Sequence, residues 1–182
     1  MKKMMILALL MTTAITASAM NYSTARNEAL FLSDKMAYEL NLTDAQYDAV
    51  YEINLDYLMS VGTRDDAYGS WWNRRNADLR YVLTPHQYDR FVRLTHFYRP
   101  LTWHNGTWTF GVYNVYRHDR FYRSRPSGIA SYRGGNNRRP DHYAHHRQEP
   151  GRPTGNTWRH NDRPAGVHGH PTTHGDRRHH GR

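Results

Sequence analysis

The chain has 182 residues, no cysteine, and 25 Lys and Arg against 16 Asp and Glu, for a formal charge of +9. This excludes a disulfide framework and a cysteine nucleophile, so stability must rest on a packed core, a partner or a ligand. The charge is unevenly spread. Residues 20–110 carry 9 basic and 11 acidic residues, whereas residues 111–182 carry 14 Arg and 5 acidic residues.

Met1-Lys2-Lys3, the apolar run Met4 to Ala14 and Ala17-Ser18-Ala19 form the three parts of a secretory signal peptide, with cleavage expected after Ala19. The apolar run is too short to span a bilayer. The expected destination is periplasmic or secreted.

The next 80 or so residues read as four short helices. Helical spacing of Ala29, Leu32, Met36 and Leu40 predicts a first helix over 23–40, capped by Ser23 or Thr24. A second helix is predicted over Asp44 to Val61, with Tyr47, Val50, Tyr51, Ile53, Tyr57 and Leu58 on its apolar face and Gly62 as its stop. Asp65 or Asp66 is expected to open a third helix, which continues to Val82 with Gly69 weakening its first turn. The fourth is expected from Pro85 to Tyr98, ended by Pro100.

One pattern occurs twice, at Leu42-Thr43-Asp44-Ala45-Gln46-Tyr47-Asp48 and at Leu83-Thr84-Pro85-His86-Gln87-Tyr88-Asp89. Thr43 and Thr84 stand where a side-chain oxygen can accept from an unpaired N–H of a first turn. Gln46 and Gln87, three residues on, can reach back to the cap residue's own N–H, which makes a capping box. Leu42 with Tyr47, and Leu83 with Tyr88, have the spacing of a hydrophobic staple, and Pro85 suits a first helical position. The body is therefore expected to be one helical pair used twice. Its core is small enough to call for dimerisation or for packing against the segment beyond Pro100.

Asn105-Gly106 is the preferred turn of a two-residue β-hairpin. Pairing across it sets Trp103 opposite Trp108 and Leu101 opposite Phe110 on one face, and Thr102 opposite Thr109 on the other. The aromatic face either covers the helical body or forms a strip (Trp103, Trp108, Phe110) that meets a partner or a glycan. Beyond Arg123 the chain is rich in Gly, Pro, Arg, His and Asn, contains no Leu, and is expected to be disordered. The predicted fold is thus mainly α. It comprises a signal peptide (1–19), a small four-helix body of two capped units (20–100), an aromatic β-hairpin and extension (101–123), and a long disordered basic tail (124–182).

The doubled Leu-Thr-x-x-Gln pattern, carried by Leu42, Thr43, Gln46 and Leu83, Thr84, Gln87 behind a signal peptide, resembles the periplasmic chaperone and stress-sensor family of the Spy and CpxP type, with its zinc-resistance-associated relatives. The resemblance covers about residues 24–100. It implies a helical, often dimeric protein that holds unfolded envelope proteins without ATP, or that modulates envelope-stress signalling. The short helices, the aromatic hairpin, the Arg/His tail and the net charge of −2 over residues 20–110 depart from the family pattern.

Nine of the 13 histidines lie between His142 and His180. His142, His145 and His146 form one cluster, His168, His170 and His174 a second, and His179-His180 closes the chain. A flexible chain could gather such imidazoles around Zn²⁺ or Cu²⁺ for buffering, while the interleaved Arg opposes tight cation binding. The same Arg-rich tail suits anionic envelope components such as lipopolysaccharide phosphates or acidic glycans, and export argues against nucleic acid as the partner. No Ser-His-Asp order or phosphate-binding Gly loop points to an enzyme.

Overall fold

The computed structural model describes residues 20–104 and 107–147. The signal-peptide region, the Asn105-Gly106 turn and residues 148–182 lie outside the described residues.

Helix α1 spans Tyr22–Glu39 and α2 spans Asp44–Ser60. They pack along their lengths, joined by a short link in which Asn41 takes a left-handed conformation (φ 50°) and Leu42 N–H bonds Ala37 O at 3.0 Å. The cap of α1 is Asn21, whose side chain accepts from Thr24 N–H, rather than Ser23 or Thr24. Asn is as good a cap as Ser, and its earlier position lets the helix take in Tyr22.

The predicted third helix is two. A five-residue α3, Arg64–Tyr68, precedes α4, Ser70–Val82, and the break falls at Gly69. Gly69 has φ −99° and ψ −135°, and a Cβ there would stand 2.6 Å from Asp65 O, so the close passage of the chain requires glycine. Thr63 caps α3 and Asp66 accepts from the Thr63 N–H at 2.8 Å, so Asp66 is the far side of a capping box and not the cap. The predicted fourth helix also divides, at Leu94, into α5 (Pro85–Arg93) and α6 (Thr95–Tyr98).

Strands β1 (Leu101–His104) and β2 (Thr107–Phe110) pair antiparallel in the register expected from sequence, Trp103 opposite Trp108 and Leu101 opposite Phe110. The fold is therefore mainly helical with a small two-stranded hairpin. No helix among the described residues is long and apolar enough to cross a membrane.

The core falls into two clusters. One gathers Leu32, Met36, Val50, Leu79, Val82, Phe91 and Phe97, where α1, α2, α4, α5 and α6 meet. The other gathers Ala29, Tyr51, Leu55, Leu58, Leu101, Trp108 and Ile129, so the hairpin covers helices instead of standing clear of them. Helix α1 is buried on nearly every side from Ala29 to Ala37, including Asp34 and Lys35. A one-sided apolar stripe does not foresee this, because the second side is covered by residues 116–123, far away in sequence.

Those residues lead into a segment that corrects the sequence expectation. Residues 124–147, predicted to be disordered, lie along α2 and then α4 as a strap of short 3-10 turns with Ile129 and Tyr143 buried. Their anchorage is mostly polar, which a reading based on scarce aliphatic residues does not register.

Candidate functional site

Both copies of the repeated pattern form capping boxes. Gln46 N–H donates to Thr43 Oγ1 at 3.2 Å and Thr43 N–H to Gln46 Oε1 at 3.0 Å; at the second copy Gln87 N–H reaches Thr84 Oγ1 at 3.3 Å and Thr84 N–H reaches Gln87 Oε1 at 2.9 Å. The side chains then do more than local capping requires. Gln46 Nε2 donates to Gln87 Oε1 at 2.8 Å, and Gln87 Nε2 faces Gln46 Oε1 at 3.2 Å. Gln46 Nε2 also donates to Val82 O at 2.9 Å, and Gln87 Nε2 to Leu40 O and Asn41 O at 3.2 and 3.3 Å. Each amide thus bonds the chain leading into the other copy. This reciprocal clasp brings the starts of α2 and α5 together, with Leu42 and Leu83 buried beneath it. Local spacing could predict the boxes but not their docking, which joins residues 41 apart.

The three aromatic candidates of the hairpin separate. Trp108 is buried, while Trp103 and Phe110 are half-buried and packed against the core, with the Trp103 and Trp108 rings edge to face at 4.6 Å. Beside the hairpin a cleft of about 480 Å³ opens between α3, α6 and the turn after β2, lined by Tyr68, Thr95, His96, Arg99, Thr102 and Val115. The Arg99 guanidinium lies 5.0 Å from the Trp72 ring and 5.7 Å from that of Tyr68, which fixes its direction. His96 Nε2 is buried without a partner among the described residues. Burial lowers the His96 pKa, against the pull of Glu39.

Two buried cations escaped the sequence reading. Lys35, the only lysine beyond the predicted signal peptide, is buried with its ammonium 2.7 Å from Asp34 and donating to Arg120 O. The rings of Phe31 and Tyr122 stand 4.4 and 4.3 Å from it, with Phe121 at 5.2 Å. Arg75 lies in the core between Tyr57 and Phe91, its Nε–H donating to Asn54 Oδ1 at 2.8 Å, while Asn54 Nδ2 donates to Ser33 Oγ. Burial pushes the Arg75 pKa down to about 10, against the pull of Tyr57 and Tyr88.

The acidic residues of α2 form a second polar feature. Asp48, Glu52 and Asp56 recur at every fourth position and so share one face. Ser127 donates to Asp48 through N–H (2.8 Å) and hydroxyl (2.6 Å). Glu52 accepts from Asn136 Nδ2 at 3.0 Å and Tyr143 OH at 3.2 Å. Asp56 accepts from Gly135 N–H and Asn137 N–H, each at 2.8 Å, and from Tyr132 OH at 2.7 Å. Burial raises the Glu52 pKa; its partners Tyr143 and Asn136 oppose this, and nearby Asp56 and Asp48 add to it.

Of the eight histidines offered as metal ligands, His142, His145 and His146 are described, and His168, His170, His174, His179 and His180 lie outside the described residues. The His145 and His146 rings are 4.2 Å apart and His142 is 6.2 Å from His145. Among the described residues no three His, Asp or Glu side chains converge as a metal-binding group. Burial, with the positive charges of Arg139 and His145, lowers the His142 pKa.

The fold and the clasp together define a class: a mainly helical protein in which two like capped units are fastened to each other and covered by a hairpin and a strap. No family model, curated protein or solved structure matches the chain.

Proposed function

We propose that the protein is an exported, non-enzymatic envelope factor that holds unfolded or partly folded proteins, or serves envelope-stress signalling, in the manner implied by its resemblance to the Spy and CpxP type. The observation that supports this reading most is the mutual docking of Leu42-Thr43-x-x-Gln46 and Leu83-Thr84-x-x-Gln87. The repeated pattern is thereby an organising element of the tertiary fold and not two unrelated helix starts. The cleft of Tyr68, His96, Arg99 and Val115 supplies apolar surface with a fixed cation, which suits a client segment that is apolar with an acidic residue nearby. The test is suppression of aggregation of a denatured client by residues 20–182. Protection at near-stoichiometric ratio is the expected result, and no protection in excess counts against the reading.

A second reading, buffering of Zn²⁺ or Cu²⁺ by the His-rich tail, draws on the succession of His142, His145 and His146 along one short stretch. Calorimetry with each metal, on the whole mature chain and on one ending at residue 140, separates the two. Equal binding by both forms removes the tail from the account.

A further inference from the structure

The strap, together with Tyr122 and Arg123 that lead into it, is attached largely through main-chain donors. Asp34, on the neighbouring helix α1, accepts from Tyr122 N–H at 3.0 and 3.1 Å and from Arg123 N–H at 2.8 Å. With Ser127 N–H on Asp48 and Gly135 and Asn137 N–H on Asp56, five main-chain donors of residues 122–137 end on carboxylates of α1 and α2. The strap adds no strand to the two-stranded sheet.

Main-chain N–H groups are common to every polypeptide, so carboxylates aimed at them recognise an extended or turning chain, with the hydroxyls of Ser127 and Tyr132 adding side-chain contacts to Asp48 and Asp56. Glu52, between Asp48 and Asp56, lies beneath the strap, and this burial raises its pKa. The apolar anchors are few: Ile129 and Tyr143 are buried and Tyr132 partly so.

We infer that the carboxylate-lined face of α1 and α2, formed by Asp34, Asp48 and Asp56, is a polypeptide-binding surface that captures extended client segments through their main-chain N–H groups, and that residues 122–137 occupy it in cis. This deepens the client-holding reading and rests on it. The preferred partner is an unfolded, net-basic chain with glycine-containing turns, because Asp48, Glu52 and Asp56 on α2 make the face anionic, Asp34 being neutralised by Lys35, and its present occupant turns at Gly134 and Gly135 (φ 97° and 110°). A cis occupant lowers apparent affinity by the fraction of molecules in which the surface is free.

The probe is a fluorescent synthetic peptide of residues 122–147, read by anisotropy against the full mature chain. In one variant Ile129→Asp with Tyr143→Ala displaces the strap. In another, Gly134→Ala with Gly135→Ala opens its turn, the added methyl at 134 meeting only Asp56 Oδ1 and the flexible end of Met59. Both are expected to bind the peptide about tenfold more tightly than the unmodified chain, as removal of a competing occupant requires. Methylating the peptide nitrogens of Ser127, Gly135 and Asn137, or combining Asp48→Ala and Asp56→Ala in the protein, is expected to abolish the gain. Equal affinity for the N-methylated peptide, or no gain in both displaced forms, overturns the inference. Peptide capture without suppression of client aggregation keeps the surface and removes the client-holding reading. Aggregation suppression that ignores both the strap and the carboxylates keeps that reading and removes the surface.

Discussion

The helical body and the strap are held by opposite kinds of chemistry. Helices α1, α2 and α4 bury continuous apolar faces around Leu32, Met36, Val50 and Leu79, along with a polar relay of Ser33, Asn54 and Arg75 and the buried Asp34–Lys35 pair. The strap buries few apolar side chains and hangs on Asp34, Asp48, Glu52 and Asp56. Apolar burial is non-directional and resists local loss, whereas each carboxylate bond competes with water on release. The body should therefore unfold as one unit, and the strap should open first and on its own.

The largest test of that contrast is Arg75→Ala. It leaves Asn54 Oδ1 without its donor and opens a hole between Tyr57 and Phe91, so it should cost about 3–5 kcal/mol in urea unfolding and affect the whole body. Next is the clasp. Gln46→Leu removes one capping-box arm and the bonds to Val82 O and Gln87, for an expected loss of about 2 kcal/mol. A double-mutant cycle with Gln87→Leu should show coupling of about 1 kcal/mol; additive losses would mean that the two units are not fastened through these amides.

Smaller and confined to the strap is Gly134→Ala. Gly134 has φ 97°, and a Cβ there would lie 3.1 Å from Asp56 Oδ1, so about 1–2 kcal/mol of local strain is expected. Hydrogen exchange should quicken at residues 127–137 while amides of α2 keep their protection. The smallest effect is that of Glu52→Gln. Its raised pKa means that the folded state takes up a proton more readily than the unfolded one, so neutral-pH ionisation detracts from stability and the loss is recovered as pH falls toward the ordinary value. The variant keeps an acceptor for Asn136 and Tyr143, so it should melt slightly higher than the unmodified chain at pH 7 and equally at pH 4. His96 has the opposite sign. Burial lowers its pKa, so the stability it supports is present above its ordinary value of about 6.5 and is lost as pH falls from there toward its folded pKa.

The parts of the fold legible beforehand are those governed by neighbours in sequence. Thr43 with Gln46 and Thr84 with Gln87 announced two helix starts, and alternation around Trp103 and Trp108 announced the hairpin and its register. The divisions at Gly69 and Leu94 were harder, because periodicity runs through both, and only the close approach of Asp65 O shows why glycine stands at the first. The third capping box carried a visible signal in Thr63 and Asp66, obscured by reading the acidic pair as the cap itself. The placement of Lys35, Arg75 and residues 124–147 left no local mark.

By itself, then, the order of residues determined where helices α2 and α5 begin, how the hairpin pairs, and that a nearly neutral stretch is followed by a strongly basic one. Capping and strand pairing are settled within a few residues, so the information is local. Tertiary structure alone decided that the two glutamines clasp each other, that a guanidinium sits in the core bonded to an asparagine amide, and that a glycine- and arginine-rich segment lies down on the acidic face of α2. Those outcomes depend on groups brought together from as far as 91 positions apart, as Glu52 and Tyr143 are, where desolvation and geometry determine which of many polar pairings survives.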